Sequence, residues 1–233
     1  MALTAFIAVW IAATIRPLQY LAEADRIRTL GGRVALRPTD RGVTGVPYTL
    51  FCRLTHRSTA LPCILALDER CPASEPVLQI AGRIPTLTSL DLTRSDVDDE
   101  SFAHLAPLRN VQDLRVQGRP ITNASMAIVG RWADLRSASF HGTDIDDSGV
   151  ANLAACERLA ELSLRSTKLT DRSVDTLTSL IRLQRLDVSH CGLSDAAIQR
   201  LVFALPDCEV ETRDPWDMEA EPTHAPKSGL RGI

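Results

Sequence analysis

Cys52, His56, Cys63 and Cys71 have the side chains of a tetrahedral metal site. Their spacing lacks the tight C-x-x-C pairs of structural zinc sites, since ten residues separate the first two cysteines and seven the next two. A disulfide among the three, in an exported protein, and buried free thiols are the readings left open there. Cys156 and Cys191 are the other candidate nucleophiles, with His141 as the candidate base. Asp99, Asp147, Asp171 and Asp195 suggest a calcium ladder by type, but no glycine-rich ligand pattern accompanies them. Arg115, Arg165 and Arg185 offer planar bidentate donors to a carboxylate, with His141 and Glu161 lying among them. No phosphate-binding glycine loop, G-x-S-x-G elbow or H-E-x-x-H pair occurs. The chain therefore reads as non-enzymatic, with no catalytic residue, cofactor or metal ligand assigned, and everything else depends on how the fold positions these groups.

Composition narrows the classes. The 233 residues are 45% hydrophobic and 24% charged, ordinary for a chain that buries a core. Lys and Arg number 26 against 29 Asp and Glu, a net charge of −3, so no global cationic field draws the protein onto phosphate backbones and nucleic acid is not expected as a partner. Six cysteines are too few for a disulfide-dependent miniprotein, and 4% aromatics too few for a stacking surface.

The positioning element is a repeat. From Leu87 the same apolar position returns at Val111, Leu135, Leu159 and Leu183, a spacing of 24 residues held without insertion. Three residues on come Leu90, Leu114, Ala138, Leu162 and Leu186, and two beyond those Leu92, Val116, Phe140, Leu164 and Val188. Alternation of these last two with polar residues predicts a short strand with one buried face. Ser95, Arg119, Thr143, Thr167 and Cys191 follow, then Val97, Ile121, Ile145, Leu169 and Leu193, which turn the chain back into the core. Asp98, Thr122, Asp146, Thr170 and Ser194, each followed by Asp or Asn, mark a helix start, and each aspartate is expected to cap its own helix. Apolar residues three apart, such as Val174, Leu177 and Leu180, then predict a short helix packed on the strands. No unit of this size buries both faces alone, so units must stack with like positions superposed. Cys156, Cys191 and Trp132 fall on these ladders and read as core residues, and His141 lies two repeats from Cys191, which discourages a dyad.

Leu162 to Val174, L-S-L-R-S-T-K-L-T-D-R-S-V, resembles the short bacterial leucine-rich repeats of form LxLxxTxLTDxxL. The units are also similar to the cysteine-containing repeats of F-box substrate receptors. Ala204 to Val210, A-L-P-D-C-E-V, resembles the usual end of the bacterial arrays, and Leu30 to Val34, L-G-G-R-V, a stretch often found upstream. The resemblance covers about half the chain. It implies an α/β fold: a right-handed leucine-rich-repeat solenoid, with parallel strands on the concave face, short helices on the convex face and an N-terminal cap. Ala138 is undersized for its ladder, and Arg119-Pro120 replaces the small polar residue of the turn, so local irregularity is expected in the second and third units.

The chain divides accordingly. Residues 1–15 are an apolar segment in which the uncharged run over 2–15 falls short of the ~20 residues that span a bilayer and has no preceding Lys or Arg. A membrane anchor, a signal peptide and a packed helix are the open readings, and the anchors often carried by bacterial relatives tilt the choice toward anchoring or export over the cytoplasm. Residues 16–83 read as a helix ended by Gly31-Gly32, followed by an irregular cap rich in proline. Residues 84–210 hold five full repeats, with Cys208 and Val210 opening a closing strand. Residues 211–233 have too few apolar side chains to fold alone and are expected to be a disordered tail.

The polar alternates of the strands form columns on the concave face, about 4.8 Å apart per repeat. They are Ser89, Asp113, Ser137, Glu161 and Arg185; Asp91, Arg115, Ser139, Ser163 and Asp187; and Thr93, Gln117, His141, Arg165 and Ser189. Arg115, His141, Glu161, Arg165 and Arg185 around a serine floor are the expected binding residues for a protein or peptide partner. Solubilising surface residues are the competing reading, because no aromatic anchor stands among them. The function expected is a protein-interaction scaffold. Its alternatives are an F-box-like substrate adaptor, for which Leu61-Pro62 has no F-box helix pattern after it, and an envelope structural protein without a specific ligand.

Overall fold

Two apolar residues separated by one polar residue give each unit its strand, and the apolar pair is buried every time. Leu90 and Leu92, Leu114 and Val116, Ala138 and Phe140, Leu162 and Leu164, and Leu186 and Val188 all lie in the core. The computed structural model describes residues 19–38, 60–67, 74–93, 95–118 and 120–212. Among these, eight strands form one sheet in chain order: β1 (Arg33–Pro38), β2 (Ala60–Ala66), β3 (Ser89–Leu92), β4 (Asp113–Gln117), β5 (Ser137–His141), β6 (Glu161–Ser163), β7 (Arg185–Asp187) and β8 (Glu209–Glu211). β1 and β2 are antiparallel, and every later pair is parallel.

Parallel neighbours require a crossover, which short helices supply here. Asp99–Phe102, Asn123–Val129, Asp147–Val150, Val174–Ser179 and Asp195–Ala204 carry the chain back, two of them extended by 3-10 turns at Ala103–Leu105 and Ala151–Ala155. Their inner residues meet the strand ladders in one aliphatic core, in which Trp132 is fully buried. The Trp132 indole N–H donates to the Leu108 carbonyl at 2.9 Å, and its ring lies 6.1 Å from that of Phe102, which satisfies the polar edge of a large apolar group. Gly130 ends its helix where an added Cβ would stand 2.5 Å from the Asn152 carbonyl oxygen, so glycine is what lets the two turns approach.

The turn after each strand repeats as well. The Ser95, Thr143 and Thr167 hydroxyls donate to the carbonyls of Leu92, Phe140 and Leu164 at 3.0, 2.9 and 2.6 Å. One residue before Thr143, Thr167 and Cys191 the backbone is left-handed, with φ of 65° at Gly142, 57° at Ser166 and 56° at His190, and Gly118 matches them at 108°. Ala138 causes no irregularity: β4 and β5 pair over five positions without a register shift, and Ala138 is buried on its ladder. Arg119 lies outside the described residues.

Residues 60–67 and 74–84, within the stretch expected as an irregular cap, hold a strand and a helix in the same order as the repeats. β2 pairs in parallel with β3, Ile64 opposite Ser89 and Leu65 opposite Leu90, and a helix at Ser74–Ala81 buries Val77, Leu78 and Ala81. The spacing from Leu65 to Leu90 is 25 residues rather than 24, so a search at fixed period passes over it. Upstream, a helix over 19–29 buries Ala24 and Ile27, and Gly31 at φ 93° ends it. No helix among the described residues is long and apolar enough to cross a membrane. The apolar run at 2–15, Cys52, His56, Cys71 and the tail from residue 213 lie outside the described residues.

Candidate strand-face binding site

The sheet register superposes the three polar columns. Ser89, Asp113, Ser137, Glu161, Arg185 and Glu209 are successive partners across β3 to β8, as are Asp91, Arg115, Ser139, Ser163, Asp187 and Glu211. Gln117 stands opposite His141, and Arg165 follows β6 on the same side, its carbonyl accepting the Gly142 N–H at 2.9 Å. All five residues expected from sequence therefore lie on one surface. Each has at least one neighbour in sequence locked into the core: Leu114 and Val116 beside Arg115, Phe140 beside His141, Leu162 beside Glu161, Leu164 beside Arg165 and Leu186 beside Arg185.

The ends and the middle of this surface differ in charge. Arg185 reaches the last strand, 3.3 Å from Glu209 Oε2 and 3.8 Å from Glu211 Oε1. Glu161 accepts from the Ser137 hydroxyl at 3.2 Å, and the Ser163 hydroxyl donates to Asp187 at 3.1 Å. Asp187 is held further by the backbone N–H of Ser189 at 3.0 Å and by the Ser189 hydroxyl. Arg115, His141 and Arg165 form the basic middle, beside the column residues Ser137, Ser139 and Ser163. In the first two columns the carboxylates of Asp91, Asp113, Glu161, Asp187, Glu209 and Glu211 outnumber the guanidiniums of Arg115 and Arg185. Glu209 and Glu211 extend these columns and are not among the residues expected from sequence. Their period of 24 from Arg185 and Asp187 carries the signal, had the columns been extended through the closing strand.

Neither candidate thiol is poised for chemistry. Cys156 is fully buried, and loss of hydration pushes its thiol up to about 11, so little thiolate forms at neutral pH. The Cys191 sulfur approaches the Leu164 carbonyl at 3.1 Å and the Thr167 hydroxyl at 3.5 Å, which places it in the turn ladder. Among the described residues no group of three or more His, Cys, Asp or Glu side chains is arranged to hold a metal ion.

The aspartate positions do work that the sequence reading assigned differently. Asp98, Thr122, Asp146, Thr170 and Ser194 cap their own helices by accepting backbone N–H groups. Asp99, Asp147 and Asp171, each one residue later, face the next repeat instead. They accept both the N–H and the hydroxyl of Thr122, Thr170 and Ser194. At this position Asn123 accepts the Asp146 N–H at 3.1 Å and donates to its carboxylate at 2.8 Å.

No curated protein matches the chain. The leucine rich repeat family model matches residues 83–101 and 182–202. Among solved structures, an internalin (InlF) from Listeria monocytogenes str. 4b F2365 is similar at 15% identity and a TM-score of 0.45, over 59% of this chain and 44% of that one. The TLR13 chain of a TLR13–ssRNA13 complex is similar at 18% identity and a TM-score of 0.38, over 58% of this chain and 20% of that one. This chain thus spans less than half the length of either. A 24-residue period, one short parallel strand per turn and a short helix returning to the next give this chain the fold of a leucine-rich-repeat solenoid, and the leucine rich repeat family model matches two of its turns.

Proposed function

We propose that the strand face binds a protein or peptide partner without catalysis, through Arg115, His141, Glu161, Arg165 and Arg185. Leucine-rich repeat domains are in general protein–protein interaction modules. The observation that carries the reading here is the register, which gathers Arg115, His141 and Arg165 over a floor of serine hydroxyls with carboxylates on both flanks. Such a surface suits a segment with a carboxylate at its centre and basic side chains beside it. Arg is the donor that pairs a carboxylate through two parallel bonds, and the serines add hydrogen bonds without bulk. Arg185, drawn to Glu209 and Glu211, sets the acidic end of the site. The absence of an aromatic anchor among the columns fits a partner that supplies its own.

Affinity capture with cross-linking and mass spectrometry, comparing the full chain with Arg115→Glu plus Arg165→Glu, tests this. A protein cross-linked to β4–β6 of the parent and lost by the double variant, with circular dichroism unchanged, is the expected result. Equal capture by both moves the contact off the strand face, and no capture favours a structural role.

A further inference from the structure

A second surface lies on the edge where each helix hands the chain to the next strand. Along this edge Gln112, Arg136, Ala160 and Gln184 succeed one another at a spacing of 24 residues, and Ala160 leaves a gap between two long side chains. The gap opens into a groove of ≈ 720 Å³ whose walls include Arg136, Arg158, Arg182, Ile181 and Asp207. Arg158 is held by Asp134 of the preceding turn, whereas neither Arg136 nor Arg182 has an ion-pair partner among the described residues. Ile181 is 84% exposed on the rim, an aliphatic side chain that the array itself leaves uncovered. Three guanidiniums, one carboxylate and an uncovered aliphatic group specify an acidic segment that carries a large apolar side chain.

Such a segment occurs in this chain. Residues 213–222 read R-D-P-W-D-M-E-A-E-P, with Asp214, Asp217, Glu219 and Glu221 interleaved with Trp216 and Met218. The described residues end at Thr212, just after β8, and β8 begins two residues past Asp207 in the groove wall. The three-residue strand spans about 10 Å. Five extended residues reach about 17 Å, enough to bring Asp217 back beside Asp207 and Arg182, with Glu219 and Glu221 following toward Arg158 and Arg136. Covalent attachment makes this encounter intramolecular, at a high effective concentration.

We infer that the arginine groove around Ala160 is a binding surface for acidic segments, and that residues 213–222 of this chain occupy it. The acidic side chains pair with Arg136 and Arg182, and Trp216 covers Ile181. This surface is separate from the strand-face columns and stands or falls independently of them.

Hydrogen–deuterium exchange of the full chain, read at the amides of residues 213–222, tests the inference. Expected is protection in the parent that drops by about tenfold in Arg136→Glu plus Arg182→Glu, a loss on the scale of a few solvent-exposed ion pairs. A variant altered only in the tail, Asp217→Lys plus Glu219→Lys, loses protection equally without touching the array. Combining all four substitutions restores it, while the strand amides exchange as in the parent throughout. Tail amides that exchange at the same rate in the parent and both double variants, whether fast or slow, overturn the inference. So does failure of the combined charges to restore protection.

Discussion

Asp99, the first residue of its helix, accepts the backbone N–H of Thr122 at 3.0 Å and the Thr122 hydroxyl at 2.6 Å, and Thr122 in turn caps the next helix. The same joint links Asp147 to Thr170 and Asp171 to Ser194. At a spacing of 23 residues, one short of the repeat, each unit thus fixes the capping residue of its successor. Stability of a solenoid is largely the sum of its units and their interfaces, so these carboxylates add a directional component to an otherwise aliphatic stack.

Replacing Asp99 with alanine removes the acceptor for Thr122 and for both the N–H and hydroxyl of Ser125. Hydrogen bonds to a charged group contribute about 1.5–3 kcal/mol, and a loss in that range is expected in urea denaturation, as a lower midpoint at unchanged slope. Asp99→Asn should cost less, because Asn123 already fills the equivalent place in the next unit. A midpoint for the alanine variant equal to that of the parent would show that the ladder contributes nothing.

Acid should weaken the array through these same groups. The hydroxyl and N–H of Ser101 hold Asp98 below the usual carboxylate range, and the Ser148 hydroxyl and Asn123 amide do so for Asp146. At Asp99 burial pushes upward, but the hydrogen bonds from Ser125 and Thr122 outweigh it and the net shift is down. A carboxylate with a depressed folded pKa stabilises fully above its unfolded value, about 3.9, and loses that contribution as pH falls through the folded value. The thermal midpoint should therefore drop below about pH 4, less steeply in Asp99→Asn. A midpoint that rises on acidification from pH 5 to 3 is incompatible with this sign.

Trp132 fills the centre of the helix layer. Trp132→Ala leaves a cavity beside Phe102 and removes one of two donors to the Leu108 carbonyl, which Arg109 also reaches at 2.8 Å, so a loss of about 3–5 kcal/mol is expected, most of it from the cavity. Trp132→Phe keeps most of the volume and loses the hydrogen bond, and should fall between that variant and the parent. Equilibrium denaturation ranks the three, and any other order would mean that the ring is not packed as described.

Cys156 should resist alkylation. Its thiol is buried and pushed up to about 11, so iodoacetamide at pH 8 should leave it unmodified in the folded protein and label it once denaturant is added. Peptide mapping after brief labelling reads this directly. Labelling at the rate of a model thiol in the native state would contradict the burial.

Much of this molecule is legible along the chain. A unit too small to bury its own two faces must stack on copies of itself, so equal spacing in sequence becomes superposition in space. That reasoning places Leu90, Leu114, Ala138, Leu162 and Leu186 on one core ladder, and it puts Arg115 beside Ser139 and Gln117 beside His141. The closing strand at Cys208 and Val210 follows in the same way, as β8.

Lateral relationships were decided only by the tertiary structure. Whether an acid after a helix start turns toward its own helix or the next depends on the offset between neighbouring turns. Sequence favours the first for Asp99, and the fold selects the second. Arg185 pairs with Glu209 and Glu211 because the sheet adds one more strand beside β7. Leu65 precedes Leu90 by 25 residues rather than 24, and its place on the ladder is seen only where β2 meets β3. The groove beside Ala160 exists because a small residue stands between Arg136 and Gln184 on adjacent turns. Periodicity determines which residues share a ladder. The directions in which side chains reach between ladders are set by packing across turns, which no single period contains.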